Sequence, residues 1–265
     1  MNMKINKFIA SLAAVLFLFL GSVRAQQPAP PSPAAPPAEQ PKAVPVTAEP
    51  RHHLSLENAF VRAFRVEVAP KDSTLLHEHA RDYVYVALGP ADIVNAVLGK
   101  PEVHAQLADA EVRFARGNFS HIARNLSDQP FRNLTIEFVE PQGAARNLCA
   151  KIVPGDAGPC QETARNGFSA KPLFETDNAR VELAKLDAAT QKAELAATGR
   201  GLLLAALDQA AIKIERDGQP PMILTTGGML WLPAGSRAMI ANLRDAPSNL
   251  LLIFFPEKEK TPAPH

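Results

Sequence analysis

Two histidines, His77 and His79, stand either side of Glu78 just ahead of an apolar run, and a third, His121, lies four residues before Asn125. In extended backbone, residues i and i+2 project to the same face about 7 Å apart along the chain. Leaning imidazoles at that spacing can converge on one ion, which histidine nitrogens bind at about 2.0–2.1 Å. With His121 as a third donor, the chemistry is that of a divalent ion (Mn, Fe, Zn or Ni) with coordination positions left open for a small ligand. Tyr83 and Tyr85 follow on the next stretch and read as barrel-interior packing or as pocket lining. Glu137 shares a strand face with Thr135, pointing either into a cavity or to a solvent-facing ion pair. His52 and His53 sit at the edge of a Pro-rich stretch and read as surface loop; His104, among polar residues, reads as a solvated strand or turn.

Strands must position these groups. Val61 to Val68, Asp82 to Leu88 and Phe131 to Phe138 each alternate two sets of side chains along the chain. Many such short runs between turn residues, with little helical periodicity, indicate an all-β barrel or sandwich. An internal repeat sharpens this. Asn125-Leu126-Ser127-Asp128-Gln129-Pro130 recurs as Asn242-Leu243-Arg244-Asp245-Ala246-Pro247. Asn58-Ala59 and Val61 match Asn178-Ala179 and Val181, Ala87-Leu88 and Ile93 match Ala206-Leu207 and Ile212, and Asn133-Leu134 matches Asn249-Leu250. The order and the slowly drifting offset, 120 falling to 116, make the core two copies of one unit.

The flanks differ in kind. Met1 to Lys7 is basic, Phe8 to Leu20 is apolar but for Ser11, and Val23-Arg24-Ala25 precedes Gln26. That layout predicts a secretory leader, residues 1–25, and a periplasmic or secreted mature chain. The apolar run is too short for a span of about 20 residues, and no later stretch is long enough either. Residues 26–50 hold nine prolines and read as a disordered linker; residues 257–265 read as a disordered tail. Without the leader's Lys4, Lys7 and Arg24, 25 basic residues face 27 acidic ones, which gives no electrostatic footprint for nucleic acid. In an oxidising compartment Cys149 and Cys160, the only cysteines, are expected to pair in a disulfide rather than to hold a metal. There is no phosphate-cradling glycine loop, and no activated serine or cysteine nucleophile.

These residues resemble the cupin family, whose first motif is His-x-His followed shortly by Glu and whose second is Pro-x-Gly-x-x-His-x-x-x-Asn. The second copy here has Pro233, Gly235 and Asn242 at that spacing, with Ala238 in the histidine's place; the first keeps His121 and Asn125 but has Arg116 and Asn118 where Pro and Gly would stand. The resemblance implies two tandem double-stranded β-helix (jelly-roll) barrels, residues 51–141 and 172–256, joined by a connector over 142–171. It implies one divalent ion on His77, His79 and His121 of the first barrel, and a metal-free second barrel whose counterparts fall near Ala196, Ala197 and Thr198. The motif glutamate is missing: Tyr83 or Asp82 would stand in for it, Tyr83 also as a catalytic acid or base, with Asp82, Tyr85 and Glu137 lining a ligand site. Dioxygenases and isomerases of this family imply a metalloenzyme acting on a small oxygenated molecule, and the family's habits imply a homodimer. A small-molecule or sugar-binding module, or a structural protein with vestigial histidines, fits the same residues.

Overall fold

The computed structural model describes residues 42–257 except 166, 189–191 and 208. The expected leader, most of the Pro-rich stretch and nearly all of the tail lie outside the described residues. The first barrel is built from β1 (Val44–Pro45), β2 (His52–Glu57), β3 (Val61–Val68), β4 (His77–His79), β5 (Tyr83–Ala87), β6 (Ala91–Val97), β7 (Val103–Leu107), β8 (Val112–Ala115), β9 (Phe119–Asn125) and β10 (Phe131–Phe138). They form two five-stranded sheets, ordered β1-β4-β9-β6-β7 and β2-β3-β10-β5-β8. The barrel therefore starts earlier than the expected boundary at residue 51. The Pro-rich segment is ordered from Val44, because β1 pairs in parallel with the edge of β4 and Val46 and Glu49 are buried. A proline fits there, since an edge strand needs no donor on its outer side.

The second barrel repeats the plan with β11 (Ala145–Asn147), β12 (Thr163–Arg165), β13 (Phe168–Thr176), β14 (Arg180–Leu186), β15 (Ala193–Ala196), β16 (Gly201–Ala206), β17 (Ala211–Arg216), β18 (Gln219–Thr225), β19 (Met229–Pro233), β20 (Arg237–Asn242) and β21 (Ser248–Phe255). The run β14-β21-β16-β19 reproduces β3-β10-β5-β8, and β15-β20-β17-β18 reproduces β4-β9-β6-β7. This is the doubled jelly roll that the repeat implied. The connector is not bare loop, since β11 and β12 both pair with β13, and β13 begins at Phe168, ahead of the expected start at residue 172. Cys149 and Cys160 form a disulfide within it.

Hydrogen bonding corrects two of the repeat matches. Leu88 N bonds Arg132 O, and Leu207 N bonds Asn249 O, so Asn249 answers to Arg132, and Asn133 answers to Leu250. In the turn before β3, the Asn58 side chain accepts from the amides of Phe60 and Val61; in the turn before β14, Thr176 Oγ1 accepts from Asn178 and Ala179. Asn58 therefore answers to Thr176, not to Asn178. The Asn125 and Asn242 match holds, with a reason. Asn125 Nδ2 donates to the carbonyls of Val68, Ala69 and Gln129, and Asn242 Nδ2 donates to those of Leu186, Asp187 and Ala246. Each amide ties the end of one strand to the turn between two others, inside the barrel wall.

The motif glycine has a stand-in as well. Asn118 has φ +63° and its counterpart Gly235 has φ +73°. Asparagine is among the few residues that tolerate this left-handed region. Asn118→Gly should leave the urea midpoint nearly unchanged, whereas Asn118→Val should destabilise the chain by about 1–2 kcal/mol. Equal midpoints for the two variants would refute the strain argument.

The two barrels share a core. Val61, Val84, Val86, Leu134, Ile136 and Phe138 of the first pack with Leu173, Phe174, Val181, Leu203, Leu251, Ile253 and Phe255 of the second. Trp231 stacks on Phe60 at 4.9 Å between ring centroids, and Arg200 lies over the same ring while pairing with Glu140. Among the described residues no helix is long and apolar enough to cross a membrane.

Candidate metal centre

β4 and β9 are antiparallel neighbours with His77 directly opposite His121, so the pleat sends both rings to the same interior face. His79, two residues on, joins them. Ring centroids lie 4.4 Å apart for His77 and His121, 5.0 Å for His77 and His79, and 5.2 Å for His79 and His121. The fold thus brings His121 beside the His77 and His79 pair, with all three ring centroids within 5.2 Å of one another. A fourth stands with them. His52, expected on a surface loop, has a side chain only 5% exposed, with its ring 4.8 Å from His77 and 5.9 Å from His79. Ring nitrogens of His52, His77 and His79 all lie within 4.8 Å of one another.

Each ring is held by its Nδ1. That of His52 meets the Glu49 carboxylate at 2.6 Å, that of His77 the Leu75 carbonyl at 2.9 Å, that of His79 Glu137 Oε1 at 3.2 Å, and that of His121 Asn95 Oδ1 at 2.6 Å. All four partners are acceptors, so each Nδ1 carries a proton and Nε2 is the nitrogen that points away from these partners. The Nε2 atoms of His77 and His121 are buried with no hydrogen-bond partner. Leaving such an atom unpaired costs about 1–3 kcal/mol. Buried, unpartnered imidazole nitrogens on rings backed by carboxylate and carbonyl acceptors are what a metal ion needs. Burial holds the rings neutral: it pulls the His77 pKa down to about 4 and His79 below its ordinary value. Burial, together with the neighbouring rings, pulls His121 down to about 2.

The other expected site residues divide. Tyr83 stacks on His79 at 4.3 Å, and Tyr85 lines the same cavity of about 200 Å³. Glu137 is buried and faces inward, as one of its two readings had it, but its role is to hold His79. Burial pushes the Tyr83 phenol far upward, as do the neighbouring Tyr85 and Glu137, so it stays protonated and is a donor, not a base. Asp82 does not line the cavity. Its carboxylate accepts from Arg116 Nη1 at 2.9 Å and from the amides of Gly117 and Gln142, and so fixes a turn. Asp82, tied up in that turn, does not replace the missing motif carboxylate. Sequence reading missed His52, Glu49 and Asn95. Asn95 had a usable signal: it lies on the same face of β6 as Ile93 and Val97, and Val97 pairs with His121.

Register shows why the second barrel lacks a site. Leu195 pairs with Ala238 as His77 pairs with His121, which puts Leu195 and Ala197 in place of His77 and His79; Ala197 is among the expected counterparts, and Leu195 lies one residue before them. His52 answers to Ala170, through their cross-strand partners Val66 and Ala184. Tyr83 answers to Leu202, Asn95 to Ile214 and Glu137 to Phe254. Most of these replacements join one apolar core that fills the barrel.

No family model matches the sequence, and no curated protein sequence matches it. Solved structures do resemble it. AerE from Microcystis aeruginosa superposes with a TM-score of 0.54 at 13% identity, over 79% of this chain and 99% of that one. Salicylate 1,2-dioxygenase from Pseudaminobacter salicylatoxidans also gives 0.54 at 13% identity, over 77% and 75% of the two chains. HEPD from Streptomyces albus, solved with 2-hydroxyethylphosphonate and Fe(II) bound, gives 0.54 at 9% identity, over 80% and 71%. At such identities the likeness is one of fold.

Proposed function

We propose that this chain, which carries the cupin fold twice in tandem, is an exported protein that holds one divalent ion on His77, His79 and His121 and acts with it on a small oxygenated molecule. The observation that carries the reading is the pair of buried, unpartnered Nε2 atoms on His77 and His121, whose ring centroids lie 4.4 Å apart. When bound, the ion would supply Lewis-acid chemistry or a seat for oxygen. The cavity of about 200 Å³ admits only a small ligand, and Tyr83 and Tyr85 give it an aromatic wall. Tyr83, protonated and stacked on His79, presents a hydrogen-bond donor beside the site. Thr135, paired with Tyr85 across the ladder of β5 and β10, and Asn133, hydrogen-bonded to it at 2.9 Å, add polar groups beside that wall.

One observation favours a second reading, a binding module without turnover. The two buried carboxylates behind the cavity, Glu137 and Glu49, are engaged by His79 and His52 and so are not free as bases. Metal analysis of the purified mature protein tests the shared premise. About one ion per chain is expected, not two, and His77→Ala and His121→Ala should each abolish it. A wild-type chain that stays empty after reconstitution with Mn, Fe, Zn or Ni would leave the histidines vestigial. Oxygen uptake with small oxygenated candidates then separates enzyme from binder.

A further inference from the structure

The segment leading into the first barrel does more than close its edge. Val44–Pro45 lies against β4, Val46 is buried, and Glu49 turns its side chain fully inward. Both Glu49 oxygens are occupied. Oε2 accepts from the Arg51 amide and from His52 Nδ1, and Oε1 accepts from the Leu75 amide at 3.1 Å. One carboxylate thus joins this segment to β2 and to the residues that enter β4. It also orients His52 so that Nε2 is the ring's free nitrogen, in the group whose ligand atoms lie within 4.8 Å of one another. The second barrel has no such arrangement: Ala170 stands where His52 does, and β13 receives β12 and β11 along its outer edge instead.

We propose that Val44–His52 is a strap that completes the metal centre, with His52 as a fourth ligand in place of the missing motif carboxylate and Glu49 as its positioning residue. This rests on the metal-centre reading above. Charge balance supports it. A divalent ion held by neutral imidazoles alone would be uncompensated in a buried site. Here two carboxylates stand one step out, Glu49 behind His52 and Glu137 behind His79, each touching a ligand's Nδ1. Negative charge is retained while the donors to the ion become nitrogen only. Four protein donors would close a tetrahedral ion completely. Room for a small molecule therefore requires an ion that accepts five or six donors, and with nitrogen donors only this favours Fe, Co or Ni over zinc.

The probe is Co(II), whose visible bands report coordination number and donor type without any turnover. Loaded into the full chain, wild type and His52→Gln are compared, since glutamine keeps a donor for Glu49 but removes the ligand nitrogen. His52→Gln should shift the bands and weaken Co(II) binding by more than the roughly 10–100-fold that loss of an outer partner costs. Glu49→Gln should weaken binding within that 10–100-fold range and keep the wild-type bands. Added imidazole should restore the bands in His52→Ala, which a merely structural histidine would not allow. A folded His52→Gln protein with wild-type affinity and spectrum would overturn the assignment and leave the site on His77, His79 and His121. A wild-type chain that takes up no Co(II) would sink the metal centre itself.

Discussion

Asn125→Asp should destabilise the first barrel by about 4 kcal/mol, and Asn242→Asp should do the same to the second, although each change swaps one nitrogen for one oxygen. The amide at each position donates to three carbonyls and accepts from a backbone amide two residues on. A carboxylate keeps the accepting half and turns an oxygen toward those carbonyls. Losing one partner of a buried hydrogen bond costs about 1–3 kcal/mol, and a charge left buried without a counter-ion adds more, up to about 3–5 kcal/mol in all. Against a typical total of about 5–15 kcal/mol this is a large loss. Asn125→Ala should cost less, about 2–3 kcal/mol, because it leaves unpaired carbonyls but no charge. Urea denaturation followed by far-ultraviolet circular dichroism gives the order wild type, Ala, Asp. An aspartate variant as stable as wild type would mean that the side chain does not clasp the turn. Asn125 also ends β9, four residues beyond His121, so slack at the clasp should loosen the metal as well as the fold.

The doubled fold was legible because its marks are local. The asparagine clasp needs that one side chain at that one place, and so it survives in both copies while the surrounding strands diverge. Strand register was less legible. Asn133 looks like Asn249, but a one-residue slip reverses every side chain in a strand, and only the ladder shows that Leu250 is the true counterpart. His77, His79 and His121 could be picked out because their spacing carries the pattern. His52 could not. It lies next to a Pro-rich stretch, outside any alternating run, and its partner inside the fold is Glu49, an acid among prolines and alanines. Nothing local announces that such a residue folds inward; the parallel pairing of Val44 with His77 brings it there. Asp82 misled for the opposite reason. It stands one position from Tyr83, but the strand begins between them, and Asp82 is left in the turn.

Acid should destabilise the metal-free protein from about pH 6.5 downward, and the failure should begin in the first barrel. An unfolded histidine takes up a proton near pH 6.5. Buried in the fold, His77 does so only at about pH 4, His121 at about pH 2, and His79 below its ordinary value. Each folded pKa is depressed, so the unfolded chain binds more protons across the window between the two values. Stability is therefore complete above about pH 6.5 and falls as the pH drops below it, by up to about 1.4 kcal/mol per pH unit for each ring. His77 and His121 together could remove roughly 3 kcal/mol from pH 6.5 to 5, a large share of a domain's typical stability, and His79 acts in the same direction. Glu49, held down to about 2, does not contribute here. Burial works against that depression, but hydrogen bonds from His52 and from the amides of Leu75 and Arg51 overcome it, and its loss comes only below about pH 4.5. A bound ion competes with protons for the same Nε2 lone pairs and stabilises only the folded state, so added metal should move the acid midpoint downward. Hydrogen exchange locates the failure: amides of β4 and β9 should open before those of β15 and β20, where Leu195, Ala197 and Ala238 leave nothing to protonate. Trp231, packed on Phe60 between the barrels, should report by fluorescence when the shared core gives way. An acid midpoint that ignores both the metal and His121→Ala would mean that these rings are not what acid attacks.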